Sequence, residues 1–368
     1  MSQIRKVTIK GFKSIKSLKE FRLHPLNVLI GSNGSGKSNF IGFFNLLRAI
    51  INQELEFYVN KKGGSDSFLY LGRKITPKLE SEIYFDRNGY IFSLTPTQDN
   101  VFIFEEETFY FDGPYHGVSK YQIGKGNRES NAKKILSDKS GSKSNVAQFV
   151  VPAIQNWVVY HFHDTSDSSP IKRRGSISDN IKLHSDGCNL AAFLLKLKNE
   201  SSKHYEIIVR TIQLIAPYFD DFILRPVSGD SKNIELEWKA KGNEFVFTGD
   251  SLSDGTLRFI CLSTVLLQPT PPATILIDEP ELGLHPYAIS ILASMIRSAS
   301  SNTQLILSTQ SVTLVNEFSP DSVIVVDNSN GSSTFTRLNN DDLKSWLESY
   351  SVGDLWQKNV FGGRPQSD

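Results

Sequence analysis

A run of eight residues near the N-terminus has the glycine-rich pattern of a phosphate-binding loop. The sequence GSNGSGKS at residues 31–38 fits G-x-x-x-x-G-K-[ST]. Its glycines let backbone N–H groups turn toward phosphate oxygens, and the predicted following helix would offer its positive N-terminus to the same anion. Lys37 would reach the β- and γ-phosphates, and the Ser38 hydroxyl would coordinate Mg²⁺. The predicted nucleotide-binding residues here are Asn33, Gly34, Ser35, Gly36, Lys37, Ser38 and Asn39.

A pair of adjacent carboxylates more than two hundred residues later provides complementary chemistry. Residues 275–277 form an apolar run that ends in Asp278 and Glu279. Where a strand ends the chain turns, so both acids can reach one site. Asp278 suits the Mg²⁺ shell, directly or through water, and Glu279 suits a general base for the attacking water. Such a pair is also typical of a solvated strand end, but the phosphate loop in the same chain favours the catalytic interpretation.

A serine and a glycine precede an apolar helix shortly before the acidic pair. Ser253 can donate a hydrogen bond to a γ-phosphate, and Gly255 permits close backbone approach at the helix N-terminus. The alternative interpretation is a helix capped by Ser253 or Asp254. The two interpretations are compatible, because a capped helix N-terminus also binds phosphate.

These three elements resemble, in this order, the ABC-type ATPases of the RecF, SMC and OLD-like branch. LSDGT at residues 252–256 matches the family signature LSxGx, and residues 4–14 are similar to the first strand and turn of SMC heads. Residues 279–286, EPELGLHP, also match this branch. The resemblance is specific over about 1–50 and 248–326 and weak between them. Stand-alone ATPases of this kind resemble the motor or sensor half of bacterial anti-phage systems.

The resemblance implies an ATP- and Mg²⁺-dependent ATPase that dimerises head to head. ATP would lie between the phosphate loop of one subunit and Ser253 and Gly255 of the other. The predicted catalytic residues are Glu279, Lys37 and Gln310. Gln310 departs from the family pattern, which has histidine there, and glutamine can hydrogen-bond but cannot carry charge. We therefore expect slow turnover, and we expect its pH dependence to lack a step from the titration of a histidine.

The glutamine that forms a lid over the site in this family has no clear counterpart in the sequence. Gln53 and Gln98 are candidates, and no pattern around either residue supports it.

Composition excludes several other classes of protein. The 368 residues carry a net charge of +1, so a nucleic-acid role would need a local basic patch or an assembly. The two cysteines form no metal-binding pattern and suit a reducing cytosol. No signal peptide or membrane span is predicted, so we expect a cytoplasmic protein without a membrane partner. Candidate DNA contacts are Lys120, Lys125, Arg128, Lys133, Lys134, Lys172, Arg173 and Arg174, although solvated loops would have the same composition.

The predicted fold class is α/β: a mostly parallel sheet built from N- and C-terminal parts, with an antiparallel β lobe and a helical insertion. A polar stretch at 124–146 is predicted to be a mobile loop, and 189–216 to be helical. The predicted segments are 1–60 (phosphate-loop part of the ATPase lobe), 61–165 (β-rich part), 166–245 (helical insertion), 246–328 (signature and acidic pair) and 329–368 (C-terminal tail).

The segments outside the ATPase parts limit the functional possibilities. About 210 residues without heptads separate Ser38 from Ser251, which excludes a long coiled-coil arm. About 40 residues follow Val326, where Asp341 and Asp342 indicate a helix start rather than a nuclease metal site. We therefore expect ATP-dependent self-association and a separate effector, such as a nuclease, or DNA as partners. The alternatives are a transporter's nucleotide-binding subunit and an ATP-binding scaffold with little hydrolysis.

Overall fold

The computed structural model describes residues 3–113, 117–138, 141–166 and 168–363. The strands in these ranges are β1 Lys6–Phe12, β2 Ile15–Arg22, β3 Leu26–Ile30, β4 Leu79–Tyr84, β5 Asn88–Pro96, β6 Phe102–Gly113, β7 Gly117–Gly124, β8 Trp157–Tyr160, β9 Gly175–Ser176, β10 Phe219–Ile223, β11 Pro226–Val227, β12 Asp230–Ile234, β13 Glu237–Ala240, β14 Val246–Thr248, β15 Thr274–Asp278, β16 Gln304–Thr309, β17 Val323–Ser329 and β18 Ser332–Arg337. The α-helices are α1 Lys37–Asn52, α2 Leu55–Lys61, α3 Ala132–Asp138, α4 Gly141–Gln155, α5 Leu190–Glu200, α6 Ser202–Ile215, α7 Asp254–Leu267, α8 Pro286–Ala299, α9 Val312–Val315, α10 Asn340–Leu347 and α11 Val352–Gln357.

A six-stranded sheet joins the two ends of the chain. Its order is β18-β17-β3-β16-β15-β8, and β17, β3, β16, β15 and β8 run parallel. β3 lies near the middle of the sheet, and all five of its residues are buried. Its continuous apolar run suits a parallel strand that is covered on both faces. The predicted assembly of this sheet from N- and C-terminal parts is confirmed.

A second six-stranded sheet, ordered β2-β1-β4-β5-β6-β7, is antiparallel throughout and forms the predicted β lobe. α1 contributes to a hydrophobic core shared by both sheets, with Leu29, Leu276 and Ile306 from the parallel sheet and Ile9 from the lobe. The other face of the parallel sheet packs in a separate core with α6, α7 and α8. The predicted α/β fold class is therefore confirmed, and α1 connects its two sheets.

Two predictions about the middle of the chain need correction. Residues 124–146 are not a loop, because α3 and α4 occupy much of this range, apart from residues 139–140 outside the described ranges. Ala147, Val150 and Val151 bury one side of α4, so its polar composition concealed an amphipathic helix. Residues 189–216 are helical as predicted, in two helices, α5 and α6, that are separated at Ser201. The segment 166–245 is helical only in part, since β10 to β13 follow α6.

The C-terminal segment packs against the ATPase part of the molecule. α10 begins after the Asn339 cap, so the predicted helix start at Asp341 and Asp342 is confirmed. Trp356 of α11 is buried, and its indole N–H donates to Gly363 O at 3.3 Å. Gly353 N of α11 also donates to Asn316 Oδ1 at 2.6 Å, which ties the tail to the end of α9. Residues 364–368 lie outside the described ranges. No helix in the described part of the chain is long and apolar enough to cross a membrane.

Candidate nucleotide-binding site

The glycine-rich loop joins β3 to α1 and wraps around its own lysine. Gly36 precedes α1 with φ at 113°, a backbone conformation that favours glycine. The Lys37 ammonium is buried and donates to Gly31 O at 2.7 Å and Ser32 O at 2.9 Å. Burial lowers the pKa of Lys37, and the charges of Glu279, Asp278 and Glu281 act in the opposite direction. The structure therefore brings Lys37 and the acids into one electrostatic environment.

Side chains from two other segments support the outer side of this loop. Ser333 of β18 donates to Ser35 O at 2.5 Å, and its oxygen lies within hydrogen-bond distance of Ser14 Oγ, at 2.7 Å. Asn39 donates to the same Ser14 oxygen at 2.8 Å, so its amide points toward the β1–β2 turn. Asn33, Gly34 and Ser38 are exposed at the open side. Ser35 Oγ is buried and has no hydrogen-bond partner among the described residues.

The two predicted acids are consecutive residues at the carboxyl end of β15, beside the end of the parallel strand β16. Asp278 is paired in register with Ser308 of β16, whose hydroxyl donates to Asp278 Oδ1. Glu279 has φ at 45°, a left-handed conformation that non-glycine residues hold at some cost and that clusters at functional sites. Its carboxylate accepts a hydrogen bond from the side-chain amide of Gln310. Gln310 is thus positioned to orient Glu279.

Glu281 is a third acid at this site, and no role for it was predicted from the sequence. Its Oε1 accepts from Thr309 Oγ1 at 2.5 Å and from Gln310 N at 3.1 Å. Burial raises the pKa of Glu281, and its other oxygen is inaccessible and unpaired among the described residues. Glu281 therefore holds the segment that carries Gln310. The sequence signal for a role of Glu281 at the site was its position two residues after the predicted base Glu279.

The serine-led helix α7 lies beside the turn that follows the acids. Ser253 caps α7 by accepting from Thr256 N at 3.2 Å, and its side chain is exposed. A Cβ on Gly255 would lie 2.5 Å from Gly283 O, so glycine is needed for this close approach. Arg258 of α7 donates to Leu282 O in the same turn. The Ser253 hydroxyl is also 2.8 Å from Thr256 Oγ1, and within the described chain it makes no hydrogen bond to the phosphate loop.

Two histidines, His161 and His163, follow β8, an edge strand that was not predicted from the sequence. β8 pairs with β15, and Tyr160 is opposite Ile277, so His161 lies across from Asp278. His161 is accessible to solvent, but neighbouring protein partly desolvates its ring and lowers its pKa, while the charge of Asp278 acts in the opposite direction. Arg258 holds the chain here by donating to Phe162 O at 2.9 Å and His163 O at 3.2 Å. A histidine at the end of an apolar run was the missed signal.

The two glutamines considered for the lid lie elsewhere. Gln53 follows the last residue of α1 and donates to Ser130 O at 3.1 Å. α1 has 16 residues and is about 24 Å long, so Gln53 is at the opposite end from Lys37. Gln98 lies in the exposed turn between β5 and β6. Neither residue follows a strand of the parallel sheet.

The basic candidates for DNA contact are partly neutralised. Arg128 forms ion pairs with Glu56 and Asp99, each at 3.0 Å. Arg174 pairs with Glu235 at 2.9 Å. These contacts give two of the eight candidates a structural role within the chain.

The donor atoms at the loop fit a hydrated magnesium ion that arrives with a nucleotide. Ser38 provides an exposed hydroxyl at the start of α1, and Asp278 provides a carboxylate oxygen. Mg²⁺ binds oxygen and commonly takes one or two protein ligands plus substrate phosphates. When bound, it would neutralise charge on the phosphates. The unpaired Ser35 hydroxyl provides a further polar group in the loop.

The fold and this loop–acid arrangement define a P-loop ATPase of the ABC and SMC-head type. The chain belongs to the family described as "AAA domain, putative AbiEii toxin, Type IV TA system", whose model matches residues 26–316. None of the curated proteins matches the chain.

Solved SMC head domains share this fold. One, an SMC head bound to the C-terminal winged-helix domain of ScpA, is 18% identical with a TM-score of 0.58, and the match covers 93% of this chain and 99% of that one. Another, an Smc head with an extended coiled coil from Pyrococcus furiosus bound to the C-terminal domain of ScpA, is 18% identical with a TM-score of 0.57, covering 95% and 99%. At this identity the likeness establishes the fold alone.

Proposed function

We propose that this protein binds Mg²⁺–ATP, dimerises head to head around it, and hydrolyses it slowly. In each site, Asn33 to Asn39 of one subunit would surround the phosphates, and Ser253 and Gly255 of the other would close over the γ-phosphate. Ser38 and Asp278 would hold the metal. Glu279 would accept the proton of the attacking water, with Lys37 and Gln310 stabilising and orienting the reacting groups.

One observation carries this proposal: Lys37 shares an electrostatic environment with Asp278 and Glu279, although more than two hundred residues separate them in sequence. A buried ammonium ringed by its own loop carbonyls is arranged for an anion that also approaches a metal-binding acid. The exposed Ser253 at the start of α7 supports the proposed contact of the second subunit with the γ-phosphate. A helix N-terminus that binds phosphate must be accessible to it.

Dimerisation tests the proposal directly. Glu279→Gln removes the base and keeps the shape of the side chain, so ATP should persist and hold two subunits together. We expect light scattering to show a dimer for this variant with ATP at micromolar protein, and a monomer with ADP. Lys37→Ala combined with Glu279→Gln is the control and should remain monomeric with ATP. A Glu279→Gln protein that binds ATP and stays monomeric would exclude the head-to-head arrangement.

The biological role we propose is a cytoplasmic switch that acts on a separate effector protein, such as a nuclease, or on DNA, in anti-phage defence. Support comes from the family description, which places related domains in a toxin–antitoxin context, and from the SMC heads solved with ScpA. ATP-dependent binding of an effector encoded nearby, strengthened by Glu279→Gln, would support it. Equal binding with ATP and ADP would contradict it.

A second candidate function, an ATP-binding scaffold with little hydrolysis, is favoured by Gln310. This residue contacts the proposed base but cannot act as an acid or base itself. Phosphate release separates the candidates, since Lys37→Ala should abolish any specific activity. Wild-type release above that of the variant supports the ATPase, and equal background rates support the scaffold.

A further inference from the structure

His161 places a nitrogen donor beside the proposed metal ligand Asp278. β8 and β15 run parallel, and their last paired residues are Tyr160 and Ile277. His161 therefore lies across from Asp278 where the ladder ends, on strands about 4.8 Å apart. The backbone of His161 is fixed by a hydrogen bond from its N–H to Ser185 O at 2.9 Å. A cation on the Asp278 carboxylate would lie within reach of this imidazole.

Side-chain alternation places both groups on the face of the sheet that carries the phosphate loop. Val159 and Leu276 pack in the core that contains α1. Because side chains alternate along a strand, His161 and Asp278 emerge on the same face two residues later. α1 begins at this edge with the exposed Ser38 hydroxyl. The imidazole and the carboxylate therefore share the face of the sheet on which α1 packs, and the exposed Ser38 hydroxyl lies in the first turn of that helix.

We propose that His161 coordinates the metal of the bound metal–ATP complex through a ring nitrogen, and that this site takes Mn²⁺ in preference to Mg²⁺. The inference rests on the proposed function, because the nucleotide supplies the remaining ligands. Mg²⁺ prefers oxygen and dehydrates reluctantly, whereas imidazole is a ligand typical of first-row transition metals. Mn²⁺ also accepts carboxylate and phosphate oxygens, and carboxylate–histidine sets hold manganese in other proteins.

The number of protein ligands at this site indicates that metal binding depends on bound nucleotide. The described residues contain no group of three or more histidine, cysteine, aspartate or glutamate side chains able to hold a metal on their own. His161 and Asp278 provide two ligands of this kind, so phosphate oxygens must complete the set. We therefore expect Mn²⁺ to bind tightly only together with ATP.

Pulsed electron paramagnetic resonance of Mn²⁺ detects a coordinated nitrogen directly. The full chain is labelled with ¹⁵N-histidine, which separates protein nitrogen from the ¹⁴N of adenine, and is loaded with Mn²⁺ and a non-hydrolysable ATP analogue. We expect ¹⁵N coupling in wild type, its loss in His161→Gln, and its retention in His163→Gln, the matched control two residues further on. Affinity for the Mn²⁺ complex should exceed that for the Mg²⁺ complex by roughly tenfold, and His161→Gln should remove most of this difference.

The possible results separate the two proposals. A bound Mn²⁺–nucleotide complex without ¹⁵N coupling overturns the role of His161 and leaves the ATPase proposal standing. Coupling that survives in His161→Gln but disappears in His163→Gln also overturns it. If wild type binds the analogue no better than Lys37→Ala does, both proposals fail. Thermal unfolding of His161→Gln, whose side chain is exposed, should match that of wild type.

Discussion

Glu107 in the antiparallel lobe and Glu281 beside the phosphate loop both have a pKa that burial raises, but their partners differ. Glu107 accepts from the hydroxyls of Tyr90 and Ser130 on one oxygen and from Asn131 N, at 3.0 Å, on the other. Glu281 has partners on Oε1, while its buried Oε2 has none within the described chain. A buried acid whose two oxygens both accept hydrogen bonds stabilises the fold. A buried acid with one oxygen left without a partner lowers stability, and such a cost is expected at a functional site.

The largest effect on stability should come from removing the fully bonded acid. Glu107→Ala leaves the donors of Tyr90, Ser130 and Asn131 without an acceptor and opens a cavity at the start of α3. We expect the free energy of unfolding to fall by about 3 kcal/mol. Urea denaturation measures this change, and ATP affinity of the folded variant should be unaltered. A loss below about 1 kcal/mol would contradict a structural role for this network.

The acid beside the phosphate loop should show the opposite pattern. Glu281→Ala releases Thr309 and Gln310, so Glu279 is no longer oriented by a fixed neighbour. We expect phosphate release to fall about tenfold, equivalent to about 1.4 kcal/mol in the barrier. ATP binding should change little, because Lys37 and the loop stay in place. Unchanged phosphate release would show that Glu281 does not position Gln310.

Glu281→Gln should have a small effect on stability. Its amide oxygen can keep the bonds from Thr309 and Gln310, and the neutral group removes a buried charge with an unpaired oxygen. We expect the free energy of unfolding to stay within about 1 kcal/mol of wild type. Thermal and urea unfolding would check this, with Glu107→Ala as the contrasting variant. A loss as large as that of Glu107→Ala would remove the distinction between the two acids.

Stability should also depend on pH through Glu107. Because the folded-state pKa lies above the ordinary value of 4.5, the folded protein binds this proton more tightly than the unfolded chain does. Between those two pKa values the free energy of unfolding falls as the pH rises. Glu107→Gln removes this titrating group. In that variant the free energy of unfolding should therefore fall less steeply with pH than in wild type, by at most about 1.4 kcal/mol per pH unit. Urea denaturation at several pH values measures this dependence. The same change of unfolding free energy with pH in wild type and in Glu107→Gln would contradict the prediction.

Local sequence predicted the parts of the site that a short stretch of chain specifies. The phosphate loop, the strand before it and the Ser253 cap follow from contiguous residues, and the structure has each of them. The position of His161 near Asp278 depends on the pairing of β8 with β15. These strands are distant in sequence, so a local pattern does not predict that they pair. Glu107 likewise appeared as one acid in a charged strand, because its donors come from distant residues.

The position of β3 has a consequence for the synthesis of this protein. Asn27 in β3 donates to Leu305 O of β16, 278 positions later in the chain. At 5–20 residues per second, a ribosome needs roughly 14–56 s to cover that interval. Throughout this time the nascent chain exposes an apolar strand whose neighbours on both edges, β16 and β17, do not yet exist. Chaperone binding to translating ribosomes should therefore begin soon after β3 emerges and end only when the last third of the chain has been made.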